Sequence, residues 1–152
     1  MSYFFDTSAV VKIYHKEESS NEVIDIFNSE AKIFLSELSV IEYHSVVYRK
    51  FREKNLEIQE LDMILNRFEI DLDQRFECFM FNQEVISNAK DIFKITGGDI
   101  LARSLDIIQV GFFKYYLNTS DIFLTFDSRQ NLVVEELRKR KYFDNSDFSN
   151  HF

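Results

Sequence analysis

The stretch Tyr3-Phe4-Phe5-Asp6-Thr7-Ser8-Ala9-Val10-Val11 sets the plan of the chain, because an apolar aromatic run passes directly into an acid, two hydroxyls and a helix-forming segment. Three aromatic β formers in an uninterrupted run suit a central strand of a parallel sheet, buried on both faces. Asp6 then stands at the carboxyl end of that strand, the edge where open α/β sheets bind ligands. Thr7 and Ser8 offer caps for a helix that Ala9 to Tyr14 begins. Two readings of Asp6 stand side by side here: a helix N-cap, or a pocket acid that holds a metal or a substrate.

Working outward, strands and helices alternate. Ser19-Ser20 precede a helix whose Val23, Ile24, Ile26 and Phe27 share a face. Lys32 to Leu35 reads as a second strand. Ser36-Glu37-Leu38-Ser39 supplies a cap and early acids for a long helix to about Lys54, and a further helix spans about Ile58 to Ile70. Glu77 to Phe81 reads as the third strand, and Asn82-Gln83-Glu84 opens a helix through Val85, Ile86, Ala89, Ile92 and Phe93. After the break at Gly97-Gly98, a helix is expected from Asp99 to about Leu117, with Ile100, Leu101, Leu105, Ile108 and Phe112 on its apolar side. Asp121 to Phe126 is the fourth strand, ending in Asp127. Ser128 opens a last helix carrying Leu132, Val133 and Leu137, and Tyr142-Phe143 allow a further short strand. This alternation specifies a parallel α/β sheet with right-handed crossovers.

With 152 residues, 45% of them hydrophobic, the chain suffices for one domain with a core and is short for two. A single domain over residues 1–143 is expected, followed by a polar tail over 144–152. The one cysteine, Cys78, lies in the apolar run Phe76 to Phe81 and reads as a small core residue; no internal disulfide can form, which fits a reducing compartment. No signal-peptide pattern and no apolar run of membrane-spanning length occurs, so a cytoplasmic location is expected. A formal net charge of -8 argues against gripping nucleic acid by general charge. It does not exclude a nuclease, because carboxylates gathered around a divalent ion present cations to a phosphate. Local basic clusters at Arg49 to Lys54 and Arg138 to Lys141 are compatible with RNA guidance or with ordinary helix ends.

Four acids stand out. Asp6 and Asp127 each terminate an apolar strand. Glu42 shares a helical face with Leu38, Ile41, Ser45 and Val46, with no basic residue one turn away to neutralise it, and an unpaired buried carboxylate is costly enough to demand a partner, a proton or a metal. Asp106 has Arg103 three residues earlier, which permits an ordinary helix salt bridge. Four carboxylates converging on one sheet edge repel one another unless cations or protons neutralise them. Oxygen ligands without a His or Cys cluster select Mg²⁺ or Mn²⁺ over Zn²⁺, and His15, His44 and His151 are not at zinc spacing.

Together, Phe5 to Tyr14, Ser36 to Glu42, Leu105 to Val110 and Leu124 to Asp127 resemble, in order, the four motifs of the PIN domain family, and within it the small VapC-like toxins of prokaryotic toxin–antitoxin pairs. The resemblance covers nearly the whole chain. It implies a three-layer α/β/α sandwich with a central parallel sheet of four to five strands. It further implies an endoribonuclease that cleaves structured RNA, with Asp6, Glu42, Asp106 and Asp127 around one or two Mg²⁺ or Mn²⁺ ions and with Thr7, Ser8 and Thr125 in support. Homodimers and an inhibitory antitoxin are also implied, the partner being sought around the two helices from Glu37 to Ile70. Two departures concern shape more than chemistry: Ile107-Ile108-Gln109-Val110-Gly111 replaces a more usual His-Leu-Ala pattern, and Tyr43 follows Glu42 where a smaller residue is common. Asp99 is an additional candidate acid or a helix cap.

Two other readings compete. One is a non-catalytic PIN-fold module that binds RNA or protein. The other is a phosphohydrolase or receiver, but the first usually wants an Asp-x-Asp pair where this chain has Asp6-Thr7-Ser8, and the second wants a Lys-Pro in a chain that has no proline.

Overall fold

A computed structural model describes residues 1–144; the polar tail beyond them lies outside the described residues. Four strands, β1 (Ser2–Phe5), β2 (Lys32–Ser36), β3 (Phe76–Phe79) and β4 (Ile122–Leu124), form one all-parallel sheet in the order β3-β2-β1-β4. The crossovers are α1 (Thr7–Tyr14) and α2 (Ser20–Phe27), α3 (Glu37–Arg52) and α4 (Ile58–Gln74), then α5 (Gln83–Thr96) and α6 (Ser104–Tyr116), with α7 (Ser128–Lys139) after the last strand.

Period-two alternation explains the three layers. Phe4 and Phe5 are both fully buried, yet they belong to different cores because successive strand side chains point to opposite faces. Phe4, Phe34 and Phe123 pack against Val85, Ile92, Val110 and Val133, which puts α5, α6 and α7 on one face. Phe5, Ile33 and Leu35 pack against Val10, Val23, Tyr43 and Phe68, which puts α1 to α4 on the other. From central β1 the chain winds first toward β2 and β3, and only later places β4 on the opposite side. The carboxyl ends of β1 and β4 therefore flank the topological switch point, where such sheets bind ligands.

Several expectations are corrected. The helix expected from Asp99 begins at Ser104: Gly97 and Gly98 take positive φ values of 59° and 78°, and Arg103 is extended at φ -82° and ψ 155°. Its buried face is Ile107, Val110, Gly111, Phe112 and Phe113, whereas Leu101 and Leu105 are exposed. Cys78 is exposed because β3 is an edge strand whose one deeply buried residue is Phe76. Residues 141–143 form a turn and add no fifth strand; Phe143 enters the core as a side chain, edge-on to Phe113. On α7 the inward residues are Val133, Val134 and Leu137, while Leu132 faces out.

Packing of α5 on α6 depends on Gly111. A Cβ built there would stand 2.7 Å from the carbonyl oxygen of Val85, a backbone atom that cannot swing away. Gly111→Ala is expected to lower stability by about 1–3 kcal/mol through overpacking, despite a helix-propensity gain of roughly 1 kcal/mol. Urea unfolding should show a lower midpoint at an unchanged slope.

Candidate active site

Local chain geometry delivers the four acids to a single crevice of about 430 Å³ at the β1–β4 end of the sheet, whose lining includes Asp6, Glu42, Asp106 and Asp127. Asp6 follows β1, Asp127 follows β4, Glu42 comes from the second turn of α3 and Asp106 from the first turn of α6.

Asp6 does two jobs at once. It is the N-cap of α1: its Oδ1 accepts from the Ala9 N–H at 3.1 Å and from the Ser8 hydroxyl at 2.6 Å. Its Oδ2 accepts from the Thr125 hydroxyl at 2.8 Å, which ties the end of β1 to the end of β4. Thr7 and Ser8 therefore do not cap the helix, as the sequence suggested. Thr7 donates to Glu42 Oε1 at 3.0 Å, and Ser8 accepts from the Phe126 N–H at 2.8 Å. Asp127 divides its two oxygens more openly. Oδ1 caps α7 through the N–H groups of Arg129 and Gln130, at 2.9 and 3.0 Å, leaving Oδ2 toward the crevice. The capping and pocket readings of these two acids are thus compatible, since one carboxylate oxygen suffices for a cap.

Glu42 is half-buried beside the inward seam of α3, which consists of Ser39, Tyr43 and Val47; Ile41 and Ser45, expected to share its apolar face, are exposed. Its partners are neutral. Besides Thr7, the amide of Gln109 donates to Oε1 at 2.8 Å and to Ser39 Oγ at 2.9 Å, while Gln109 Oε1 accepts from Ser36 at 2.7 Å. Gln130, also buried, accepts from Thr125 at 2.9 Å and donates to the Asp106 carbonyl at 3.2 Å. These two glutamines were not foreseen as part of the site, although a lone amide inside Ile107-Ile108-Gln109-Val110 is the signal of a buried polar network. Asp99, by contrast, is exposed, lies outside the crevice lining and caps nothing.

Charge in the crevice is held apart by one cation. Arg103 Nε stands 3.3 Å from Asp106 Oδ2, and Nη2 stands 3.5 Å from Asp127 Oδ2. The Asp106 hydrogen bond and charge, then the Asp127 charge, raise the guanidinium pKa further. Burial pushes Asp6 up to about 6, against the lowering effect of its Ser8, Thr125 and Ala9 hydrogen bonds, and the Glu42 charge adds to the rise. The hydroxyl geometry agrees with this direction. Thr125 has a single proton and two acceptors, Asp6 Oδ2 and Gln130 Oε1; a proton on Asp6 lets the carboxyl donate to Thr125 and Thr125 donate to Gln130.

Among the described residues no group of three His, Cys, Asp or Glu side chains stands ready to hold a metal ion. Two of the four acids, Asp106 and Asp127, share Arg103 as an ion-pair partner. The donor chemistry nevertheless fits Mg²⁺ or Mn²⁺: every charged donor is a carboxylate oxygen, and Mg²⁺ commonly uses one or two carboxylates and keeps several waters.

The family model described as PIN domain matches residues 3–136, nearly the whole described chain. The protein belongs to the PIN domain family. Its relatives among solved structures share the fold at low identity. VapBC2 from Rickettsia felis, solved bound to a DNA fragment from its promoter, is 12% identical with a TM-score of 0.64, covering 88% of this chain and 93% of that one. FitAcB from Neisseria gonorrhoeae is 16% identical with a TM-score of 0.68 over the same shares, 88% and 93%. Mycobacterium tuberculosis VapC20, described as a Sarcin-Ricin loop cleaving toxin, is 12% identical with a TM-score of 0.64 over 86% and 94%. No curated protein matches the chain.

In this PIN domain the raised Asp6 pKa has a sign that can be measured. Folding favours the neutral carboxyl, so its contribution to stability is full below about pH 4, the unfolded value, and is lost as pH rises through about 6. Asp6→Asn keeps a neutral side chain at every pH. In EDTA, the variant's stability relative to wild type should therefore rise between pH 4 and pH 7 by on the order of 3 kcal/mol, as read by urea unfolding; a difference independent of pH would show that Asp6 stays ionised.

Proposed function

We propose that the protein is a Mg²⁺- or Mn²⁺-dependent endoribonuclease that hydrolyses RNA phosphodiester bonds, acting as the toxin of a toxin–antitoxin pair. The observation that carries this reading is the convergence of Asp6, Glu42, Asp106 and Asp127, from four separate elements, on one crevice at the sheet's switch point. A site for such an ion is assigned to these four carboxylates, with Thr7, Ser8 and Thr125 in support. When bound, a divalent ion supplies charge neutralisation at a phosphate and a water made acidic enough to attack at neutral pH.

What the chain itself contributes follows from its hydrogen bonds. Thr7 and Gln109 fix the Glu42 carboxylate from two sides, and the Thr125 hydroxyl fixes Asp6, so neither acid must reorganise when a substrate arrives. The N-termini of α1 and α7 open at the crevice and place partial positive charge where a phosphate would lie. Arg103 is free to leave Asp106 and Asp127 for a phosphate oxygen, since it is largely exposed.

The neighbours VapBC2, FitAcB and VapC20 support placing the chain with the VapC-like members, and the loop-cleaving toxin in that set is consistent with a structured RNA as substrate. This reading also implies an antitoxin partner and a homodimer. An apolar crevice beside Leu38, Val40, Ile41 and Leu72, at the root of the two helices singled out for a partner, supports protein binding there. One observation favours the second reading, a non-catalytic module that binds RNA or protein: Arg103 already neutralises two of the four acids.

Purified wild type should degrade total cellular RNA with Mg²⁺ or Mn²⁺ and not with EDTA. Asp6→Asn should lose this activity by on the order of 10²-fold or more. Cleavage that persists in the variant points to a contaminant or another site; metal binding without cleavage points to the binding module.

A further inference from the structure

Phe126 stands between two residues of the site, Thr125 and Asp127, and is 39% exposed, whereas Phe5 at the end of β1 is fully buried. A single exposed phenylalanine is ordinary on any surface. Four observations set this one apart. It lines the same crevice as the four acids. Its backbone N–H is clamped by Ser8 Oγ at 2.8 Å, the hydroxyl that also braces Asp6, so its main chain is tied to the carboxylate site. Lys12 Nζ lies 4.7 Å from its centroid and is itself held by the Glu18 carbonyl at 2.8 Å, which fixes a cation over the ring. Finally, no other aromatic ring among the described residues pairs with it, although Phe4, Phe113 and Tyr116 each meet several.

We infer that Phe126 is a stacking platform for an unpaired nucleobase of a substrate strand lying in the crevice that Phe126 shares with the four acids and Arg49. The inference rests on the nuclease reading and adds to it a residue that positions the substrate base. An aromatic face binds any base, whatever its sequence, but only one that is not buried in a duplex stack. Along α3, Glu42, Val46 and Arg49 all line the crevice at i, i+4 and i+7, so Arg49 lies about 10 Å farther along the helix on the same face as Glu42. Arg49 makes no ion pair among the described residues, whereas Lys12 and Lys50 share Glu17. A strand whose base rests on Phe126 thus lies in a crevice that also presents four acids and the cation of Arg49. Unpaired nucleotides in an RNA loop satisfy this geometry and a continuous duplex does not.

The chain contains no tryptophan, so Phe126→Trp installs a single fluorescent reporter at the platform. It is best tested in the Asp6→Asn background, which silences cleavage and removes one negative charge from the crevice. Short single-stranded RNA should quench the emission, and the same strand annealed into a duplex should not. Phe126→Ala should weaken single-strand binding by about 5- to 150-fold, the equivalent of the roughly 1–3 kcal/mol that one base stack contributes, while Phe126→Tyr retains it. In the otherwise wild-type enzyme, Phe126→Ala should raise KM far more than it lowers kcat. Unresponsive emission, or single-strand binding that is equal in Phe126→Ala and wild type, overturns the platform even if RNA is cleaved. Quenching by single strands in a protein whose wild type never cleaves RNA upholds the platform and sinks the nuclease reading instead.

Discussion

The hydrogen bond between Thr125 and Asp6 is the contact on which the rest of the site depends. It joins the carboxyl ends of β1 and β4, two strands far apart in sequence, and does so at a carboxylate that is almost wholly out of water. Burying that group is costly, and the surrounding chemistry offsets the cost one bond at a time: a helix N-terminus, two hydroxyls and, through Thr125, the amide of Gln130. The same Thr125 oxygen receives the Asp127 N–H, so one hydroxyl sets the relative position of two acids. The burial that makes Asp6 hard to ionise in the free protein is also what makes it a strong attractor for a cation or a proton.

The sheet explains why such a cluster is affordable. A parallel sheet covered on both faces supplies a rigid frame, and its apolar side chains alternate between two independent cores. Strain or repulsion at one sheet edge then leaves both cores intact. The glutamines extend this frame toward the crevice. Gln109, on the buried face of α6, links Ser36 at the end of β2 to Ser39 and Glu42 on α3, so the second acid is held by α6 as well as by its own helix. Where members of the family commonly carry a histidine-containing pattern after the third acid, this chain uses that helix to build a neutral amide bridge.

Much of this was legible in the sequence because it follows from short-range rules. Apolar runs that end in an acid located β1 and β4 and both of their caps, and helical spacing located α1 to α5. What was not legible depends on how a segment meets its neighbours. Cys78 reads as core in a run of aromatics, but the run lies on an edge strand that nothing fully covers. Leu101 and Leu105 fit a helical stripe, but two glycines with positive φ send residues 99–103 along an irregular path, and α6 turns a different face inward. Asp106 was read with a local salt bridge to Arg103, and that bridge exists. Its second arm to Asp127 required knowing that α6 begins beside β4.

The two ends of the sheet carry a consequence for solubility. β3 has four residues and β4 three, so each outer edge offers few unpaired backbone groups to a passing chain, and β3 adds the exposed charge of Glu77. Short, charged borders of this kind are how natural sheets avoid recruiting further strands. For a chain so rich in phenylalanine, with no proline to interrupt strand growth, protection from amyloid-like self-assembly rests on where its sheet stops.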